Sequence, residues 1–146
     1  MATVLDTSAL VVFMRRTRRP AVQQVAVAVR ETLEAGRALL SAVTAAELLV
    51  GARDPGASER LARLIEGLPV VAVDREVGVL AGKLGAVARA AGETIPLSDL
   101  LIAATAVWLD VPLLTCDSDF GRGRALAAGG EPGLWSSLRL HPASVI

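Results

Sequence analysis

Apolar positions along this chain follow two rhythms. Short unbroken apolar runs, "ATVL" (2–5), "ALLSAV" (38–43), "PVVAV" (69–73) and "VPLLTC" (111–116), are too brief for helices and predict strands, the middle two buried. Longer segments fall between them. "TSALVVFM" (7–14) reads as a helix. Pro20 opens "PAVQQVAVAVRETLEAG", which runs to Gly36 with proline at its start and glycine past its end, as helices prefer. "TAAELLVGA" (44–52) predicts another helix and "DPG" (54–56) a turn. "SERLARLIEGL" (58–68) places Leu61, Leu64, Ile65 and Leu68 on one helical face. "DREVGVLAGKLGAVARAAG" (74–92) starts on an Asp cap and ends at Gly92. "SDLLIAATAVWLD" (98–110) is a very apolar helix, the glycine-rich, arginine-bearing stretch 121–130 a loop, and "SLRLH" (137–141) a last strand. Short apolar strands alternating with helices predict an α/β fold with a mostly parallel sheet and helices on both faces.

Composition narrows the picture. The 146 residues suit one domain that buries a core without difficulty, and 53% hydrophobic against 21% charged residues exclude disorder. Lys+Arg and Asp+Glu are both 15, so there is no bulk attraction to nucleic acid or membrane, and such binding must come from local patches. Cys116 is the only cysteine, so no intrachain disulfide forms, which fits a reducing cytosol. Asp6 interrupts the first apolar stretch and no basic region precedes it, so it is not a signal peptide. No run approaches the roughly 18 apolar residues of a membrane span. A cytoplasmic protein is expected. Lys83 as the only lysine, with no asparagine, fits thermophily or a GC-rich genome equally.

Ligands of open parallel sheets bind beyond the carboxyl ends of the strands. Asp6 follows the first strand, Glu47 falls in the first turn of the helix after the second, and Asp117 and Asp119 follow "LLTC". Asp99 opens the apolar helix that feeds that strand. Each has an ordinary structural explanation. Asp6 would cap a helix, Asp99 would favour the helix dipole, and Asp117 and Asp119 would shape a turn. Thr44-x-x-Glu47 fits a capping box. Together these explanations weaken, because carboxylates brought within a few ångströms resist joint ionisation unless a cation neutralises them. Oxygen-only ligands suit Mg²⁺ or Mn²⁺. His141 has no partner for a zinc set, and Cys116 has no catalytic His nearby in sequence.

The pattern resembles PIN-domain ribonucleases, and among them the VapC toxins of toxin–antitoxin pairs. "LDTSAL" matches the first motif with Asp6 and Ser8, and "TAAELLVGA" the second with Glu47. "LSDLLIAATA" matches the third with Asp99, and "LLTCDSDF" the fourth with Thr115, Asp117 and Asp119 before Phe120. The resemblance spans nearly the whole chain, 1–146, as one PIN-like three-layer domain. It implies an endoribonuclease dependent on Mg²⁺, with Mn²⁺ as a substitute. Asp6, Glu47, Asp99 and Asp117 are then the catalytic acids, Asp119 is a further metal residue, and Ser8 and Thr115 orient carboxylates or water. It also implies a homodimer and a small VapB-like antitoxin. "RRTRRP" (15–20) and Arg122 with Arg124 would contact RNA phosphates or be solvated or paired with acids. With two Trp, two Phe and no Tyr, stacking on bases is limited, and Phe120 and Trp108 are expected to pack. The alternative is a PIN-fold RNA-binding or regulatory module without turnover.

Overall fold

The computed structural model describes residues 1–16, 18–127 and 133–145. Four parallel strands form its sheet: β1 (Thr3–Leu5), β2 (Ala38–Ser41), β3 (Val70–Val71) and β4 (Leu113–Leu114), in the order β3-β2-β1-β4. Val4 of β1 pairs in register with Leu39 of β2 on one side and Leu113 of β4 on the other. The helices are α1 (Thr7–Met14), α2 (Pro20–Glu34), α3 (Ala42–Val50), α4 (Pro55–Glu66), α5 (Arg75–Ala90), α6 (Leu97–Leu109) and α7 (Ser118–Ala127). A 3-10 turn spans Leu134–Ser137.

Successive strand residues point to opposite faces. Val4 and Leu113 therefore pack into one core with α5, α6, Phe120 and Trp135. Leu5, Leu40 and Leu114 pack into a second core with α1 and α2. Helices thus cover both faces, as the apolar runs require of strands buried on two sides. β1 is central. The chain steps from it through β2 to β3, then crosses back to β4 on the other side. The reversal opens a crevice at the carboxyl ends of β1 and β4, where such folds bind ligands.

Several expected elements change. "PVVAV" shrinks to a two-residue edge strand in which Val70 is 41% exposed, because only β2 pairs with it. "DPG" is no separate turn: the Asp54 carboxylate accepts from the Ala57 amide at 2.8 Å, and Pro55 and Gly56 begin α4. "SLRLH" contributes one bridge, Leu140 to Leu113, rather than a strand. The expected loop at 121–130 is helical through 127, and 128–130 lie outside the described residues. Gly123 misled there. A Cβ at that position would run into the Trp135 ring, so the glycine permits close packing and not a turn. Trp135 is buried, and its indole N–H donates to the Leu84 carbonyl at 3.0 Å. Phe120 packs as expected, but Trp108 is 53% exposed.

Candidate metal and catalytic site

Asp6 directly follows β1 and Thr115 directly follows β4, so the pairing of those strands sets them side by side at the crevice. Asp6 occupies the cap position of α1 but makes no side-chain cap bond to it. Its Oδ2 instead accepts from Ser8 Oγ at 2.5 Å and Thr115 Oγ1 at 2.8 Å. The two hydroxyls lie 3.2 Å apart, and Ser8 Oγ also accepts from the Cys116 amide at 3.1 Å. The carboxylate is thereby locked in a buried position. Burial pushes the Asp6 carboxyl above its usual range, against the Ser8 and Thr115 bonds, which favour the charged form.

Asp117 continues this network. Its amide donates to Thr115 Oγ1 at 2.9 Å, and its own Oδ1 accepts from the Asp119 amide at 2.9 Å. The expected turn role is therefore real, but it uses one oxygen only. Asp99 stands in the first turn of α6 and is 8% exposed. Since α6 leads into the start of β4, its own first turn lies at the opposite, carboxyl edge. Carboxylate oxygens of Asp99, Asp117 and Asp119 all fall within 4.8 Å of one another. The Asp99 carboxyl is pushed up to about 8, first by burial, then by its bond with Asp119 and by the charges of Asp117, Asp6 and Asp119. Asp119 also pairs with Arg122, which reaches Glu93 at 3.5 Å as well. Of the two sequence arginines beside this motif, Arg122 is thus engaged with acids, and the side chain of Arg124 lies outside the described part.

Glu47 is not among the three clustered carboxylates. Its Oε1 accepts from Thr7 Oγ1 at 2.7 Å, which ties α3 to the residue after Asp6. The capping-box expectation fails. α3 begins at Ala42, and its cap is Ser41, whose hydroxyl accepts from the Val43 amide at 3.1 Å. Thr44 is thus already inside the helix and buried, 3.3 Å from the Thr7 hydroxyl, and Glu47 stands in the second turn. Thr7 is the residue that sequence reasoning missed. Its only signal is its place between Asp6 and Ser8.

The donor set fits a small divalent cation: hard carboxylate oxygens, several of them mutually repelling, with hydroxyls and amides fixing their orientation. Cys116 offers no competing chemistry, since burial pushes its thiol up and away from the reactive thiolate. His141 faces its own loop, where its Nδ1 accepts from the Ala143 amide at 3.0 Å.

Residues 3–126 match the PIN domain family. The chain is 38% identical over 121 residues to the VapC ribonuclease Mb1587 of Mycobacterium bovis and, at the same identity, to ribonuclease VapC11 of Mycobacterium tuberculosis. Each alignment covers 80% of this chain and 87% of the relative. The fold is similar to that of VapBC-1 from nontypeable Haemophilus influenzae, with a TM-score of 0.70, 23% identity and 98% of both chains covered. The acids at the ends of β1 and β4, the parallel sheet that presents them and these likenesses agree: the chain belongs to the PIN-domain family, with the VapC ribonucleases.

Proposed function

We propose that the protein is an endoribonuclease that hydrolyses phosphodiester bonds with Mg²⁺, or Mn²⁺ in its place, and serves as the toxin of a type II toxin–antitoxin pair. The observation that carries this reading is the meeting of Asp99, Asp117 and Asp119 within 4.8 Å beside the buried Asp6. Asp6, Asp99 and Asp117 would hold the cation, Glu47 would complete the acidic set from α3, and Asp119 would contribute at the rim. A bound divalent cation neutralises phosphate charge and lowers the pKa of water, which supplies a nucleophile at neutral pH.

The chain's own groups do the positioning. Ser8 and Thr115 fix the Asp6 carboxylate from two sides. The Asp119 amide fixes one oxygen of Asp117 and leaves the other available. Thr7 holds Glu47 toward the first motif. Asp99 would hold the cation only as a carboxylate, because ligands must be deprotonated. Arg122 restrains Asp119 and offsets part of its charge.

A VapB-like antitoxin and a homodimer belong to this reading, as does a cytoplasmic location. The support is family membership, together with the absence, among the described residues, of any helix long and apolar enough to cross a membrane. The deciding experiment incubates cellular RNA with the protein and Mn²⁺, and maps cut ends for wild type and Asp99→Asn. Cleavage by wild type alone is expected, and EDTA should abolish it. Equal cleavage by both overturns the site. Binding without cleavage by wild type favours the non-catalytic module.

A further inference from the structure

The acidic crevice is supported from its outer side. β4 stands at the end of the sheet, with β1 on one flank. Its backbone groups alternate in direction. The carbonyls of Pro112 and Leu114 accept from the Val4 and Asp6 amides at 3.0 Å, whereas Leu113 and Thr115 face outward. A C-terminal strap, residues 139–145, meets them there. The Leu113 amide donates to the Arg139 carbonyl at 2.9 Å, and the Leu113 carbonyl accepts from the His141 amide at 2.8 Å. Ala143 and Val145 pack against the second core and hold the strap down. These residues lie beyond the span 3–126 that matches the family, so family membership assigns them no role.

At Thr115 the pairing changes. The strap turns at Pro142, where the Ser144 amide donates to the His141 carbonyl at 2.8 Å and the Ala143 amide to His141 Nδ1 at 3.0 Å. Its main chain leaves the ladder here, and a side chain takes the place of a carbonyl. The Thr115 amide donates to Ser144 Oγ at 3.1 Å, and that hydroxyl donates to the Leu113 carbonyl at 3.2 Å. The Val145 amide then donates to the Thr115 carbonyl at 3.0 Å. Both backbone groups of Thr115 are thus held from outside the sheet. Thr115 is fully buried, so its amide would find no water in place of Ser144.

Thr115 is also where the orientation of the acids converges. Its Oγ1 donates to Asp6 Oδ2 at 2.8 Å and accepts from the Asp117 amide at 2.9 Å. Two of the acids that would hold the cation therefore depend on one residue, and the backbone of that residue depends on the strap. We infer that Ser144 is a positioning residue of the acidic site: it fixes the Thr115 backbone, and through Thr115 it sets the Asp6 and Asp117 carboxylates for the cation. The inference rests on the metal-dependent endoribonuclease reading and adds a support from the outer edge of the sheet. Metal–ligand distances are held within about 0.2 Å, so a slack Thr115 lowers metal affinity before it endangers the fold.

The test compares the full chain as wild type, Ser144→Ala, Ser144→Thr and Thr32→Val. Mn²⁺ binding is read by electron paramagnetic resonance without RNA, and cleavage of cellular RNA as initial rate against Mn²⁺ concentration. Ser144→Ala should weaken Mn²⁺ binding about tenfold, the low end for residues that orient metal ligands. The Mn²⁺ concentration for half-maximal cleavage should rise by the same factor, while the rate at saturating Mn²⁺ changes little. Ser144→Thr keeps the hydroxyl and should recover wild-type affinity. Thr32→Val removes a buried hydroxyl that donates to the Ala28 carbonyl at 2.6 Å within α2, away from the site, and should leave Mn²⁺ affinity in place. Equal Mn²⁺ affinity of wild type and Ser144→Ala overturns the inference. So does an equal loss in Thr32→Val, or a threonine variant as weak as the alanine one. A Ser144→Ala chain that does not fold by circular dichroism assigns Ser144 to folding and overturns the inference too. The underlying reading fails separately: wild type would then bind Mn²⁺ and leave RNA uncut.

Discussion

In metal-free protein the Asp99 carboxyl should make folding depend on pH in the direction opposite to that of most acids. Unfolded, it releases its proton near 3.8, whereas folded it keeps the proton up to about 8. Between those values unfolding releases a proton, so stability falls as pH rises, and the loss is complete once pH passes the folded value. The slope is at most about 1.4 kcal/mol per pH unit. From about pH 5 to about pH 7 that amounts to roughly 3 kcal/mol, or a melting temperature lower by about 5–10 °C for a domain of this size. The assay is a thermal melt in EDTA across that range for wild type and Asp99→Asn. Asn keeps the shape and cannot ionise, so the wild-type-minus-variant difference reports this carboxyl together with its coupling to the neighbouring acids. The variant should be the more stable apoprotein at high pH. Mg²⁺ at about ten times its Kd should then restore about 1.4 kcal/mol to wild type near pH 8 and less to the variant. A wild-type melt that stays parallel to the variant's through the whole range would refute the crowding of acids around Asp99.

Other consequences are as direct. Glu47→Gln keeps the bond from Thr7 but removes the charge, so RNA cleavage and Mn²⁺ affinity should drop together while the melting temperature holds; unaltered activity would reduce Glu47 to a structural tie. Thr7→Val removes the hydroxyl that reaches Glu47 at 2.7 Å, and cleavage should fall about 10–100-fold, measured as initial rate against Mn²⁺ concentration. Gly123→Ala would drive a methyl into the Trp135 ring, and a denaturant titration should show a loss of about 1–3 kcal/mol with tryptophan fluorescence changed.

Much of the fold was legible because its signals are local. Pro20 does begin α2, and Asp74 does cap α5, accepting from the Val77 amide at 3.0 Å. Gly36 and Gly92 do take left-handed conformations after their helices, at φ 65 and 80. Glycine in α7 was misread because a residue without a Cβ serves both a turn and a close approach, and only the position of Trp135, remote in sequence, tells them apart. The run that forms β3 reads as buried because an apolar run does not reveal whether a strand has neighbours on both sides.

The candidate site divides along the same line. Which acids follow strands can be read along the chain, because parallel strands all expose their carboxyl ends at one edge. That reading sets Asp6, Asp117 and Asp119 at one edge, with Glu47 and Asp99 on helices that begin there. Which oxygen points where is decided by contacts between segments more than a hundred residues apart, such as Thr115 to Asp6. The same holds for Glu47. Periodicity could not choose between a capping box and a site residue, since the two differ only in where the helix starts. Ser41 starts it three residues before Thr44, and Thr7, on another helix, takes the carboxylate. Local spacing specified the residue types and the edge they occupy, whereas strand order and helix packing decided their partners, because those contacts join segments far apart in the chain.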